Sequence, residues 1–149
     1  MNLTKQIEKD LIEALKSKNE HMAETLRMLK ATIHNFQIAQ KKEEISDEDF
    51  FSLTQKEIKS RKESIEFYKK GRRPELAEKE KKEIEILQKY LPVQLSEEEI
   101  RAIVKTAMQK TNAQSIQDMG KVMGVIMTQT RGKTDGSRVS QIVKEELTS

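Results

Sequence analysis

Apolar residues recur at helical spacing along nearly the whole chain. Leu3, Ile7, Leu11 and Leu15 fall at four-residue intervals with Ile12 and Ala14 beside them, which predicts an amphipathic helix over about 3–17. Lys18-Asn19 reads as a short polar turn, with Asn19 the N-cap of a second helix. Met22, Leu26, Leu29, Ile33 and Phe36 form that helix's stripe, to about Gln40. A turn this short favours an antiparallel hairpin. Ser46 with Asp47, Glu48 and Asp49 starts a third helix, the acids matching the positive end of its dipole. Phe51, Ile58, Ile65 and Tyr68 carry it to about Lys70, and Gly71 is expected at the C′ position. Pro74 opens a fourth helix, where its missing N–H costs nothing. Ala77, Ile84, Leu87 and Leu91 are its apolar stripe, and Pro92 stops it.

Pro92-Val93-Gln94-Leu95 reads as a linker. Ser96 with Glu99 makes a capping box for a fifth helix, in which Ile100, Val104 and Ala107 face inward to about Lys110. Thr111 to Gln114 is a loop, and Ser115 with Asp118 caps a sixth helix with Met119, Met123, Ile126 and Met127 inward. Gly132 to Gly136 is a turn, and Val139, Ile142, Val143 and Leu147 give a last helix. No strand pattern and no internal repeat interrupts the series. The expected fold is all-α: four helices in a domain over 1–92, then three in a domain over 96–149.

Composition narrows this further. Hydrophobic residues make up 35% and charged residues 36% of 149, lean for a thick core and normal for packed helices. The net charge of +3 is a mild bias towards anionic partners. With no cysteine there is no disulfide, thiolate metal site or Cys nucleophile. No run is long and apolar enough to span a bilayer, and the charged N-terminus is unlike a secretory signal, so a cytoplasmic location is expected.

Catalytic motifs are missing. Gly132-Lys133-Thr134 resembles the end of a phosphate-binding P-loop, but that motif needs glycine five positions earlier, where Met127 stands in a helical stripe. His21 and His34 lie in no metal-binding spacing. No serine has the setting of a nucleophile. Neither cofactor, metal nor catalytic residue is expected.

Two basic features stand out. The third helix carries Lys59, Lys62, Lys69, Lys70 and Arg73 near one face, and 56–73 holds eight basic against three acidic residues, which reads first as a solvated face with dipole-matching charges at its end. The other runs from Met119 to Leu147. It contains Gly120, Gly124, Gly132 and Gly136, with Lys121, Arg131, Lys133 and Arg138 between or beside them. Asp135 is the only acid from Met119 to Lys144. Glycine in a helix interior costs about 1 kcal/mol against alanine. Gly120 and Gly124, one turn apart, therefore imply close backbone approach, either of another helix or of a ligand. The second turn, with its backbone N–H groups and the N-terminus of the last helix, offers a phosphate site. Met119, Met123 and Met127 read as core filler.

The pattern Asp118-Met119-Gly120-Lys121-Val122-Met123-Gly124, then Gly132-Lys133 with Asp135-Gly136, then Val139 through Leu147, resembles the YqeY proteins. Thr25 to Ala31, Ser64-Ile65-Glu66 and Tyr90-Leu91-Pro92 fit the same family, so the likeness spans essentially the whole chain. The resemblance implies a four-helix and a three-helix bundle in a bacterial protein. It also implies kinship with the C-terminal tail of the GatB subunit of the tRNA-dependent amidotransferase and with a module appended to some glutaminyl-tRNA synthetases. Both help to hold tRNA. The label carbon–nitrogen ligase with glutamine as amide donor follows the larger enzyme, because no residues for glutamine hydrolysis or amide transfer stand here. The expected role is a non-catalytic helper that binds tRNA or other structured RNA. Its candidate contacts are Lys121, Arg131, Lys133 and Arg138, and a synthetase or amidotransferase is a possible partner. With so few aromatics to stack bases, recognition is expected to rest on shape. The alternative is a protein-interaction factor or amidotransferase subunit.

Overall fold

A computed structural model describes residues 2–148, and the described residues form seven α-helices and no strand. The chain divides into two compact units, the first ending at Leu91 and the second beginning at Pro92. No helix among the described residues is long and apolar enough to cross a membrane.

The first unit holds α1 (Leu3–Lys16), α2 (Glu20–Gln40), α3 (Asp47–Lys70) and α4 (Pro74–Gln88). Local chemistry sets their starts. The side chains of Asn2, Asn19 and Ser46 each accept a hydrogen bond from a backbone N–H in the first turn, and Pro74 occupies the first turn of α4. The core gathers Ile7 and Leu11 from α1, Leu26, Leu29 and Ile33 from α2, Phe50, Ile58 and Ile65 from α3, and Ile84 and Leu87 from α4. α3 packs most extensively on α4, and α1 on α2.

The stripes differ from expectation in detail. Phe50 is the buried aromatic at the head of α3, and Phe51 only packs beside it with ring centroids 6.1 Å apart. Ile12 and Leu15 are exposed, because Ala14 takes the inward position in the last turn of α1. α4 ends at Gln88, short of Leu91. Tyr90 then turns back into the core and donates from its hydroxyl to Asp10 Oδ2 at 2.5 Å. Burial first, and then this bond, hold the Tyr90 hydroxyl above the ordinary phenol range.

Two charged side chains are embedded among these helices. Arg61 of α3 is 4% exposed, as is Glu83 of α4. Arg61 Nη1 donates to Glu57 Oε2 at 2.7 Å and to the Glu57 carbonyl at 3.1 Å. Its Nε lies 3.5 Å from Glu83 Oε2, outside hydrogen-bond geometry. Its Nη2 reaches Met28 Sδ of α2 at 3.7 Å, and Thr32 of α2 donates to Glu57 Oε1 at 2.8 Å. Glu80 is drawn in as well: burial first, then its hydrogen bond to Glu83, hold its carboxyl above the usual carboxylate range. Sequence spacing counts Arg61 among the basic residues of α3, but it faces inward and contributes nothing to the surface. Removing one partner of such a pair strands the other charge. Arg61→Ala is therefore expected to cost about 3–5 kcal/mol, read as a lower urea midpoint. Arg61→Met combined with Glu83→Leu should recover most of that loss.

The α3–α4 corner departs from the sequence expectation. Gly71 has φ −81°, and Arg72 takes the left-handed conformation with φ 57°. Arg72 N–H bonds the Lys69 carbonyl at 3.2 Å and Arg73 N–H the Tyr68 carbonyl at 2.8 Å, the paired bonds of a Schellman end with arginine in the usual glycine place. An added Cβ at Gly71 meets only the Phe67 carbonyl at 3.5 Å and the Tyr68 carbonyl at 3.8 Å, ordinary contacts. Arg72→Gly should raise stability by about 0.5–1 kcal/mol through relief of the left-handed strain. Gly71→Ala should be neutral or mildly stabilising, the reverse of what a C′ glycine would give. Thermal unfolding of the two variants checks both signs.

Candidate nucleic-acid interface

The second unit is built from α5 (Glu97–Thr111), α6 (Met119–Thr130) and α7 (Gly136–Thr148). Ile100, Val104, Ala107, Val122, Ile126, Val139, Ile142 and Val143 form its core. A short 3-10 helix, Ile116–Asp118, leads into α6. The Asp118 carboxylate accepts from the N–H groups of Gln114 (2.9 Å) and Ser115 (3.3 Å). These two bonds, with a smaller contribution from Lys121, hold its pKa below the ordinary range.

The apolar stripe of α6 is rotated from the expected one. Val122, Ile126 and Thr130 are buried, while Met119 and Met123 only pack at the edge of the core. The opposite face carries Gly120, Lys121, Gly124 and Thr128, all exposed. A Cβ added at Gly120 or Gly124 meets nothing within 4 Å. The glycines therefore do not mediate a close helix crossing within this unit; they leave a flat stretch of bare backbone open to solvent. Met123, the remaining helical member of the sequence motif, is half-buried beside them.

The turn after α6 is fastened from an unexpected direction. Gly132 is buried, with φ 75°. Its carbonyl accepts from Gln94 Nε2 at 2.9 Å, and the Lys133 carbonyl accepts from the Leu95 N–H at 2.8 Å. Gln94 and Leu95, read from sequence as linker, are thus stitched onto the α6–α7 turn and belong to this unit. Only helix patterns and caps were legible there; a single-strand contact of this kind leaves no periodicity to find. Asp135 Oδ1 accepts from the Ser137 N–H at 3.0 Å. The carboxylate thereby takes a position at the start of α7 that an anion was expected to fill.

The four candidate cations do not form one cluster. Arg131 and Lys133 flank the buried Gly132 and are exposed. Lys121 lies at the other end of α6, about 15 Å along the axis from Arg131 at 1.5 Å rise per residue. Arg138, in the first turn of α7, lies 3.8 Å from Glu97. Glu97 also pairs with Arg101, which reaches Glu145 at 2.6 Å and Glu146 at 3.0 Å, fastening α5 to α7. The hydrogen bond from Arg101, then its charge, holds Glu97 below the usual carboxylate range. In the first unit, Lys59, Lys62, Lys69, Lys70 and Arg73 are all exposed, with Lys69 and Arg73 in long pairs to Glu66 (3.9 Å) and Glu75 (3.8 Å).

The geometry separates the glycines by role. Gly132→Ala is expected to destabilise by about 1–2 kcal/mol, since alanine is strained at positive φ. Gly136→Ala, with nothing within 4 Å of its added Cβ, should be neutral or stabilising. Chemical denaturation of the pair distinguishes them.

Comparisons with known proteins agree on kinship. The family model described as Yqey-like protein matches residues 4–147. A protein of Pyrenophora tritici-repentis named altered inheritance of mitochondria protein 41, mitochondrial, is 34% identical over 143 residues, covering 93% of this chain and 77% of the relative. An uncharacterised protein of Schizosaccharomyces pombe is 35% identical over 91 residues, 61% of this chain and 73% of that protein. The Kluyveromyces lactis protein bearing the same mitochondrial name is 36% identical over 101 residues, 66% of this chain and 54% of its own length. These relatives overturn the expectation of a bacterial, cytoplasmic protein, for they are fungal and most are named mitochondrial. The charged N-terminal residues are unlike a secretory signal, and organellar targeting uses other sequence features. With a family match over nearly its whole length, the chain belongs to the YqeY family.

Proposed function

We propose that this chain is a non-catalytic RNA-binding helper, with tRNA as the RNA. The relatives' names make a mitochondrion the proposed setting. The observation that carries the reading is the outer face of α6: Gly120 and Gly124 are open to solvent with nothing within 4 Å of an added Cβ, and Lys121 stands beside them. Exposed helical glycine weakens a helix, and no packing inside the unit explains these two. A phosphate backbone lying flat on the helix does. Arg131 and Lys133 at the far end of α6 supply further contacts to the same strand, and the kinship to tRNA-holding tail modules supports the choice of RNA. Phosphate contacts of this kind fix position and carry no sequence information.

Binding of labelled tRNA across a salt series tests the proposal. Affinity should fall as salt rises, since each neutralised phosphate releases counterion. Arg131→Glu with Lys133→Glu should abolish binding at moderate salt. Gly124→Ala gives the sharper result: stability should rise by about 0.5–1 kcal/mol while RNA affinity falls. Unchanged affinity in Gly124→Ala, or no binding at low salt, refutes the reading. Capture of a synthetase or amidotransferase that survives nuclease treatment would favour a protein-interaction role instead.

A further inference from the structure

The solvent face of α3 holds a feature that the proposed role does not use. Phe67 is 73% exposed, the only exposed aromatic among the described residues. Its neighbour Tyr68 packs against the core, and the two rings meet edge to face with centroids 6.0 Å apart and planes at 68°. Phe67 is thus a flat ring braced from one side and open on the other.

Its surroundings are basic. At 3.6 residues per turn, Lys56, Lys59 and Lys70 share the helix face of Phe67. Lys59 lies about 12 Å before the ring along the axis and Lys70 about 4.5 Å after it. Arg72 and Arg73 follow at the corner. Lys56, Lys59, Lys62, Lys70 and Arg72 make no ion pair among the described residues, and the exposed pairs of Lys69 and Arg73 are long. Glu63 lies on the same stripe, and Glu66, seven residues after Lys59, lies at its edge. With Arg61 and Glu57 paired inward, the outer residues of 56–73 are seven basic against two acidic.

We propose that this face is a nucleobase-stacking site for an unpaired, single-stranded stretch of RNA. Lysines on both sides of the ring hold the phosphates, and one splayed base lies on Phe67. Duplex is excluded as the ligand, because a stacked pair cannot offer its face to the ring. A lipid surface fits poorly: a helix lying in a membrane gathers several apolar residues on its outer face, whereas here one phenyl stands among charges. The site lies in the first unit and does not depend on the α6–α7 turn.

The chain contains no tryptophan, so Phe67→Trp places a single fluorescent reporter at the ring position. Titration of this full-length variant with an unstructured 12-nucleotide RNA should quench its emission. Phe67→Ala should weaken binding of the same oligonucleotide by between about 5-fold and 100-fold, the range for losing one stacked base, with the salt slope unchanged. Lys59→Glu with Lys70→Glu should lower both affinity and salt slope. Quenching should persist in a chain carrying Arg131→Glu and Lys133→Glu, which separates this site from the one on the second unit. Oligonucleotide binding without quenching, wild-type affinity in Phe67→Ala, or no binding at low salt overturns the proposal. So does a tryptophan response to phosphatidylserine vesicles in place of RNA.

Discussion

The first unit depends on a guanidinium taken out of water. Arg61 sits where α2, α3 and α4 meet, with Glu57 on its own helix, Glu83 opposite and Met28 above. An ion pair at this depth contributes little net stability, because desolvation offsets most of the attraction. Its effect is on register. An apolar core of Leu and Ile tolerates small slides of one helix along another, whereas a displaced Arg61 would leave two carboxylates unanswered. The Tyr90–Asp10 bond acts the same way at the end of the unit, fixing the chain after α4 against α1.

The second unit uses exposed charge and backbone bonds where the first uses a buried ion pair. Arg101 gathers acids from α5 and α7 at the surface, and the α6–α7 turn is held by carbonyls of its own backbone. Gly132 is required there by its positive φ, while Gly120, Gly124 and Gly136 are not required by any contact inside the unit. Contacts inside the unit thus account for one glycine of the motif and not for the α6 pair. The candidate surface is consequently a line along α6 rather than a pocket. That shape suits an extended polyanion better than a small molecule.

Helix number and starts were legible in the sequence because they follow from local rules: Ser46, Pro74 and Ser96 each announce a helix within four residues. Which side of a helix faces inward was less so. Phe50 and Phe51 are adjacent and chemically equal, and only the packing partner decides between them. Val122 lost out to the methionines because a four-residue methionine repeat looks like a stripe. Arg61 was invisible as a core residue because its partner Glu83 lies on another helix. The Gly71–Arg72 corner failed for a related reason: glycine is preferred at positive φ, but tertiary geometry placed that angle one residue later. For the candidate site, residue types were readable and their arrangement was not. Lys121 and Lys133 are near in sequence yet lie at opposite ends of α6.

Gln94 and Leu95 carry a consequence for where this chain can be divided. The second unit is not simply three helices; its first structural residues are the extended pair that bonds the carbonyls of Gly132 and Lys133. A fusion joined at Ser96 would strip that pair away and bare the turn beside Arg131 and Lys133. A fusion joined at Pro92 would carry it along. Val93, 90% exposed between the stitched residues and the first unit, is the natural seam at which recombination or a protease could divide the chain and leave the second unit's turn covered.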